Sequence, residues 1–224
     1  MFNNVSNNST SALAGIRVLD LTHHVSGPYC TKLLSDFGAT VTKVERPGIG
    51  DTARYFGPFA DDENAGENSL LFAYLNTGKL GITVNLKHPS GKEIITKLIK
   101  DSEILVENFS PGVMSSLGLE YKDIVEINPS IVMISITNFG QTGPYKDYKA
   151  TDIVEYALGG LMYILGTNDR EPLKHALKQA QFKAGTNAAT ASLIAFMHAK
   201  MSGEGQYVDI SIQESIASAL RDTT

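Results

Sequence analysis

Side chains that could do chemistry follow directly after several short apolar runs of this sequence. His24 and Ser26 follow the first run, Arg46 follows the second, and Asn108 and Phe109 follow a later one. If these runs are parallel strands, all five residues lie at one edge of a sheet, where ligands of such folds bind. Arg46 can hold a phosphate through two hydrogen bonds, and a helix start offers free N–H groups to an anion. The set therefore predicts a site for a phosphorylated, ring-bearing ligand.

An ordinary structural role also accounts for each of these features taken singly. His23 and His24, with no third ligand beside them, are more typical of a capped turn than of a metal site. Arg46 can pair at the surface with Glu45 or Asp51, an interaction that contributes ~0 to 1 kcal/mol. The asparagine of the later run stands among residues typical of a turn. Only the set as a whole indicates a ligand site.

The elements that must position these residues alternate between short β-branched runs and segments with apolar residues three and four positions apart. This alternation predicts an α/β fold, and the near-continuous apolar strands favour a largely parallel sheet with helices on both faces. The predicted strands are Ile16–Leu21, Thr40–Glu45, Ile82–Asn85, Ile104–Glu107, Ile131–Thr137 and Gln206–Ile212. The predicted helices are Tyr29–Phe37, Gly91–Lys100, Asp152–Leu165, Ala188–Met201 and Glu214–Leu220. The third of these helices is apolar almost throughout, so we expect it to be buried.

The composition excludes several classes of protein. With 224 residues and 42% hydrophobic content, the chain can bury a sizeable core. Its net charge of -5 disfavours nucleic acid as a partner. Cys30 is the single cysteine, which excludes an intrachain disulfide framework and a four-cysteine zinc site. We therefore expect no metal and a cytoplasmic location.

Motifs of the common nucleotide sites and of one large hydrolase class are missing. The sequence has no G-x-x-x-x-G-K-[ST], no G-x-G-x-x-G after its first strand and no G-x-S-x-G. Its apolar runs are shorter than the roughly 18 residues of a membrane span, so we expect no membrane partner. Residues 1–12 are polar, without the basic start and apolar run of a secretion signal, and are predicted to form a disordered tail.

Four ordered segments between Leu13 and Leu220 form a recognisable set. They are LAGIRVLDLTHHVSGPYCTKLLSDFGATVTKVERPGIGD, NTGKLGITVNLKHPSGKE, VENFSPGVMSSLGL and SGEGQYVDISIQES. The set resembles the class III coenzyme A transferases, the family of formyl-CoA transferase, carnitine CoA-transferase and α-methylacyl-CoA racemase. The resemblance implies a Rossmann-like large domain over residues 13–224, CoA bound at the carboxyl edge of the sheet, and an interlocked homodimer. Because family members are nearly twice as long, it also implies that a small second domain and a returning segment are absent, as in a fragment or truncated product.

The resemblance also assigns binding positions, residue by residue. The matching positions are His24, Val25, Ser26, Arg46, Asn108, Phe109 and Lys149. The first three match a loop that approaches CoA through its backbone, and Arg46 matches a basic residue at the nucleotide end. Asn108 and Phe109 match the pair that lines the pantetheine and adenine side of the cleft, and Lys149 matches a lysine of formyl-CoA transferase. Ser116 stands where the family commonly has a CoA-binding arginine, which should weaken phosphate binding.

The main departure from the family concerns its catalytic aspartate, which lies four residues before a glycine at the start of an alanine-rich helix. That position is Gln181 here, ahead of Gly185. The family's aspartate attacks the acyl thioester, whereas a neutral amide is neither a nucleophile nor a leaving group. Asp152 matches an acid beside the base histidine of the racemase, but the histidine position itself is Thr151. Asp152 is equally suited to cap a helix.

These observations lead to a hypothesis with three alternatives. The chain binds CoA or an acyl-CoA thioester and acts as the non-catalytic half of a paired transferase with a small carboxylic acid as second substrate. It then forms a homodimer, or a heterodimer with a catalytic relative that supplies the aspartate. In one alternative the chain is an active transferase with a displaced carboxylate, for which Asp169 and Glu171 are candidates. In the others it is a structural or regulatory CoA-binding module, or an inactive truncated product.

Overall fold

A single parallel sheet organises the chain, for which a computed structural model describes residues 11–60 and 68–220. Six strands within these ranges lie in the order β3-β2-β1-β4-β5-β6, with every neighbouring pair parallel. The strands are β1 (Arg17–Asp20), β2 (Thr40–Glu45), β3 (Leu80–Thr83), β4 (Ile104–Glu107), β5 (Val132–Thr137) and β6 (Gln206–Ser211). The predicted α/β fold is confirmed, and the strand order reverses between β1 and β4, which opens a crevice at their carboxyl ends. Residues 1–10 of the predicted tail lie outside the described residues.

Helices cover both faces of this sheet. They are α1 (Ser26–Asp36), α2 (Leu70–Asn76), α3 (Pro89–Lys100), α4 (Val113–Leu117), α5 (Tyr121–Ile127), α6 (Asp152–Leu158), α7 (Gln179–Ser202) and α8 (Ile212–Ala217). The sequence did not predict α2, α4 and α5, because helices of 7, 5 and 7 residues contain too few turns for a clear pattern. None of the helices in the described ranges is long and apolar enough to cross a membrane.

The third strand and the third helix differ from their predicted forms. The third strand covers Leu80–Thr83 rather than Ile82–Asn85. It is an edge strand with mostly exposed side chains, and Gly81 after the exposed Leu80 interrupts the apolar run that would mark its start. The predicted helix Asp152–Leu165 is interrupted after Leu158 by two glycines, the second with a φ of 84°. A short 3-10 turn follows.

The expectation that this helical region is buried is wrong. Only Glu155 and Tyr156 of α6 are buried, whereas Tyr163 in the 3-10 turn is 92% exposed. Ile153 and Leu161 line an open groove. Leu161, Met162 and Leu165 pack against the core but are only partly buried. Hydrophobicity alone could not distinguish these two surroundings.

The contact between α1 and α7 determines where the long helix begins. The predicted helix started at Ala188, but α7 begins at Gln179, and its first turns pack against the start of α1. A Cβ atom at Gly185 would lie 2.6 Å from the Ser26 carbonyl oxygen, so only glycine permits this approach. The close crossing brings the start of α7 to the carboxyl edge of the sheet.

A buried network of four charges lies beneath that edge. Lys79 is 3.0 Å from Asp20, Lys43 is 2.8 Å from Asp51, and all four side chains are almost completely buried. Burial alone would raise the pKa of Asp20, but the ammonium groups of Lys43 and Lys79 hold it well below its usual range. Asp20 also accepts hydrogen bonds from the side chains of Thr22 and Thr31. The network ties the end of β1 to β2, to α1 and to the start of β3.

We predict that Lys43→Met strongly destabilises the chain. The substitution removes a donor to the Thr22 carbonyl and leaves Asp51 as a buried charge without its partner. The expected loss in the free energy of unfolding, measured by urea denaturation, is about 3 to 5 kcal/mol. Lys122→Met is the matched control, because Lys122 is exposed and pairs with Glu120 at the surface, and it should leave stability unchanged. Equal stability of the two variants would show that the buried network contributes no more than a surface pair.

Candidate functional site

A cavity of about 600 Å³ lies at the carboxyl edge of the sheet, where the sequence predicted a ligand site. Its walls come from the turn after β1, the segments after β4 and β5, the loop before α6 and the first turn of α7. The lining includes His23, His24, Ser26, Asn108, Phe109, Lys146, Asp147, Lys149, Asp152, Lys178 and Gln181. Tertiary structure therefore brings together seven of the nine predicted site residues.

The turn between β1 and α1 is held in an unusual conformation. His24 has a φ of 71°, in the left-handed region, and its N–H donates to Asp51 Oδ1 at 2.8 Å. The Asn108 side chain clamps the preceding residue from both sides, accepting from the His23 N–H at 2.9 Å and donating to the His23 carbonyl at 2.7 Å. These contacts offset a backbone cost of about 1 to 3 kcal/mol. Asn108 thus positions the turn in addition to lining the cavity.

The start of α1 offers backbone N–H groups and no fixed charge. Val25 is the N-cap residue of α1, and its side chain makes no hydrogen bond to the first turn of the helix. Val25 itself is buried and faces the neighbouring groove instead of the cavity. Burial lowers the pKa of His23, and burial together with Lys178 lowers the pKa of His24 to about 4, so both rings are neutral at neutral pH. An anion here would meet helix N–H groups and lysines, and no histidine cation.

Arg46 is a predicted site residue that lies outside the cavity lining. It is exposed, just beyond the end of β2, and does not line the cavity. The suggestion that it pairs with a neighbouring acid is wrong, because Glu45 pairs with Arg54 at 2.8 Å and Asp51 pairs with Lys43. Its side chain is exposed at the same edge of the sheet.

Gln181 contacts a buried carboxyl group that the sequence analysis missed. Its Nε2 lies 3.3 Å and 3.2 Å from the two carboxyl oxygens of Glu155, which is completely buried on α6. With its amide oriented to donate, Asn138 Nδ2 lies 3.0 Å from Glu155 Oε1 while its oxygen accepts from the Ala150 N–H. Burial raises the pKa of Glu155 to about 7, against the hydrogen bond from Gln181. The signal in the sequence was an acid inside the apolar segment DIVEYAL.

The other acidic residues considered near Gln181 are either bound in structural contacts or exposed outside the cavity. Asp152 accepts a hydrogen bond from the Ala180 N–H at 2.9 Å and lies 3.0 Å from Lys174 Nζ, so it stabilises the first turn of α7. Asp169 and Glu171 are exposed and do not line the cavity. Among the residues that the structure describes, no group of three or more histidine, cysteine, aspartate or glutamate side chains could hold a metal ion.

A second buried carboxyl group lies beside Phe109. Glu107, Ser135 and Asp209 are partners in the register of β4, β5 and β6, and Glu107 accepts from the Phe109 N–H at 2.8 Å. Burial raises the pKa of Glu107 to about 7. In the unfolded chain the Glu107 carboxyl group has its ordinary, lower pKa, so between that value and about 7 the folded protein holds a proton that the unfolded chain has lost. The contribution of Glu107 to the free energy of unfolding therefore falls as pH rises towards about 7 and is constant above that.

Glu107→Gln should remove this pH dependence, since an amide does not titrate. Relative to the unsubstituted chain, the free energy of unfolding of the variant should rise by on the order of 3 kcal/mol between about pH 5 and about pH 8. Urea denaturation at both pH values measures the difference. The exposed Glu126→Gln on α5 serves as the control and should show no such rise. If the free energies of unfolding of Glu107→Gln and the unsubstituted chain differ by the same amount at both pH values, burial does not raise the pKa of Glu107.

Comparisons with known proteins give a consistent result. The sequence pattern of CoA-transferase family III matches residues 13–224. Formyl-CoA:oxalate CoA-transferase of Afipia carboxidovorans is 42% identical over 210 residues, which cover 94% of this chain and 48% of that protein. Succinate–glutarate CoA-transferase of Agrobacterium fabrum is 37% identical over 208 residues, which cover 92% and 52%. The chain thus spans about half the length of the curated relatives it matches.

A solved structure shows the same similarity in three dimensions. The crystal structure of a CAIB/BAIF family protein from Brucella suis superposes with a TM-score of 0.88 and 34% identity. The match covers 94% of this chain and 55% of that one.

Proposed function

Since this chain belongs to CoA-transferase family III, we propose that it binds a CoA thioester in the cavity at its sheet edge and takes part in transferring CoA between carboxylic acids. The cavity carries this proposal, because seven residues assigned from the family resemblance converge on it. Relatives named for formate, oxalate, succinate and glutarate support a small carboxylic acid as the second substrate. The homodimer or heterodimer and the cytoplasmic location remain predictions from the sequence.

The charges around the cavity suit the phosphates of CoA. Lys146, Lys149 and Lys178 line it, and Arg46 is exposed at the same sheet edge. The first turn of α1, which has no side-chain cap, adds backbone N–H groups that suit an anion. Phe109 supplies an aromatic face beside these groups, packed edge-on against the His23 ring. A negatively charged nucleotide with an apolar ring and a flexible arm fits this combination.

Calorimetric titration with CoA tests the site. We expect saturable binding that Lys149→Ala and Arg46→Ala each weaken by about 3-fold to 10-fold, roughly 1 kcal/mol per lost phosphate contact. Lys122→Ala is the control, because Lys122 is exposed on α5 and does not line the cavity. Binding that Arg46→Ala leaves unchanged while Lys149→Ala weakens it would remove Arg46 from the site. Absence of binding by a folded chain would overturn the proposal.

The carboxylate that the transfer needs is the second part of the proposal. Gln181 stands at the family's aspartate position and supplies none, so either a related chain provides the carboxylate or another residue of this chain does. In the first version the chain is the non-catalytic half of a paired transferase. Asp169 and Glu171 do not support the second version, because both are exposed outside the cavity lining.

Gln181→Asp tests whether a partner is required. If the chain only lacks the family's aspartate, this variant alone should exchange CoA between succinyl-CoA and labelled succinate, as followed by incorporation of the label into the thioester. That result would disprove the need for a partner and support position 181 as the reaction centre. An inactive variant that still binds CoA would agree with the half-enzyme version. Gln181→Asn, which keeps an amide, is the matched control, and position 181 of this variant should supply no carboxylate for CoA exchange.

A further inference from the structure

The geometry points to Glu155 as the nucleophilic carboxylate of this chain. This inference rests on the proposed CoA-thioester site and assigns the missing carboxylate to the chain itself. Glu155 lies on α6, one hydrogen bond away from Gln181 on α7. The carboxylate therefore lies directly behind the position at which the family places its aspartate.

The surroundings of Glu155 distinguish it from every other carboxyl group near the cavity. Asp152 is bound to the Ala180 N–H and to Lys174, which fixes it in a structural role. Asp147 lines the cavity but is exposed, so water solvates its charge and lowers its reactivity. Among the carboxyl groups of residues 11–60 and 68–220, Glu155 is the one that combines complete burial with a hydrogen bond from Gln181.

Two amides are placed to support the ionised form of Glu155. Gln181 donates to both oxygens, and Asn138 is placed to donate to one of them at 3.0 Å. Burial raises the pKa of this carboxyl to about 7. Its carboxylate is therefore more basic than an exposed one, and a substantial fraction of it is ionised near neutral pH. A buried carboxyl with no such donors would remain protonated and unreactive.

In this proposal, access to Glu155 from the cavity depends on movement of Gln181. Gln181 lines the cavity and contacts Glu155, which is itself shielded. Its contacts of 3.2 Å and 3.3 Å lie at the long end of the hydrogen-bond range, and its side chain is unbranched. Rotation of Gln181 away from α6 would expose Glu155 to a thioester bound in the cavity.

The proposed reaction balances without any further reactant. A Glu155 oxygen forms a bond to the thioester carbonyl carbon, the C–S bond breaks, and CoA leaves as a thiolate with the electron pair. The thiolate then attacks the Glu155 carbonyl carbon of this mixed anhydride, which releases the donor carboxylate and leaves a glutamyl-CoA thioester. An acceptor carboxylate reverses the two steps, so that its own thioester forms and the Glu155 carboxylate is regenerated. No net proton or electron is consumed.

Hydroxylamine trapping identifies the acylated residue directly. The purified chain is incubated with formyl-CoA or succinyl-CoA and hydroxylamine, and its peptides are examined by mass spectrometry. We expect a hydroxamate at Glu155. Glu155→Gln should lower trapping and CoA exchange by on the order of 10³-fold or more, while its affinity for CoA stays within about 2-fold. Glu171→Gln makes the same chemical change at an exposed position and should alter neither.

A reciprocal exchange separates nucleophilic from structural roles. The double variant Glu155→Gln with Gln181→Glu keeps a carboxyl and an amide in contact but places the carboxyl on α7. We expect trapping to return, with the hydroxamate now at position 181. If Glu155→Gln does not fold, Glu155→Asp keeps the charge on a shorter side chain and should retain trapping at position 155, reduced by roughly 10-fold to 100-fold.

The outcomes distinguish this inference from the function on which it rests. CoA binding without a hydroxamate at Glu155 overturns the inference and leaves the half-enzyme version of the proposed function. A hydroxamate at any other residue also overturns it. Loss of trapping in Glu155→Gln together with loss of CoA binding would show a structural role. If the unsubstituted chain does not bind CoA, the proposed function fails and the inference fails with it.

Discussion

The buried pairs Asp20–Lys79 and Lys43–Asp51 are the constraint on which the rest of the site depends. Charges without solvent must stay paired, so the ends of β1 and β2 and the segment before β3 cannot move independently. Asp51 uses its second oxygen to hold the His24 N–H, which fixes the left-handed turn at the start of α1. A structural ion network thus sets the backbone that a ligand would meet.

The opposite wall of the cavity depends on helix packing. Gly185 lets α7 approach the Ser26 carbonyl, and Asp152 caps the first turn of α7 from α6. The Gly185 contact packs α7 against α1, whereas the Asp152 contact joins α6 to α7. Glu155 on α6 meets Gln181 on α7, next to Ala180, to which Asp152 is bonded.

This pairing changes how the glutamine at position 181 should be understood. From the family resemblance alone, Gln181 is interpreted as the replacement of a nucleophile. In the folded chain its amide is a donor to a buried carboxylate, and Asn138 is placed to act as a second donor. The site keeps one carboxyl group and two amide donors, with the carboxyl group placed on α6. Lys178 and the other lysines of the lining remain on the cavity side, where they suit an anionic ligand.

The sequence by itself determined the fold class, the positions of five of the six strands in the described ranges and the sheet edge that carries the cavity, because apolar periodicity and the residues after each strand are local signals. It also determined that position 181 holds no carboxylate. It did not find the short helices, and it placed the exposed 3-10 turn around Tyr163 in the core, since hydrophobicity does not tell a groove from an interior. Only the tertiary structure decided that Arg46 stands apart from the cavity, that Asn108 clamps His23, and that Glu155 lies behind Gln181. These facts depend on contacts between residues far apart in the chain, and their geometry follows from packing rather than from spacing in the sequence.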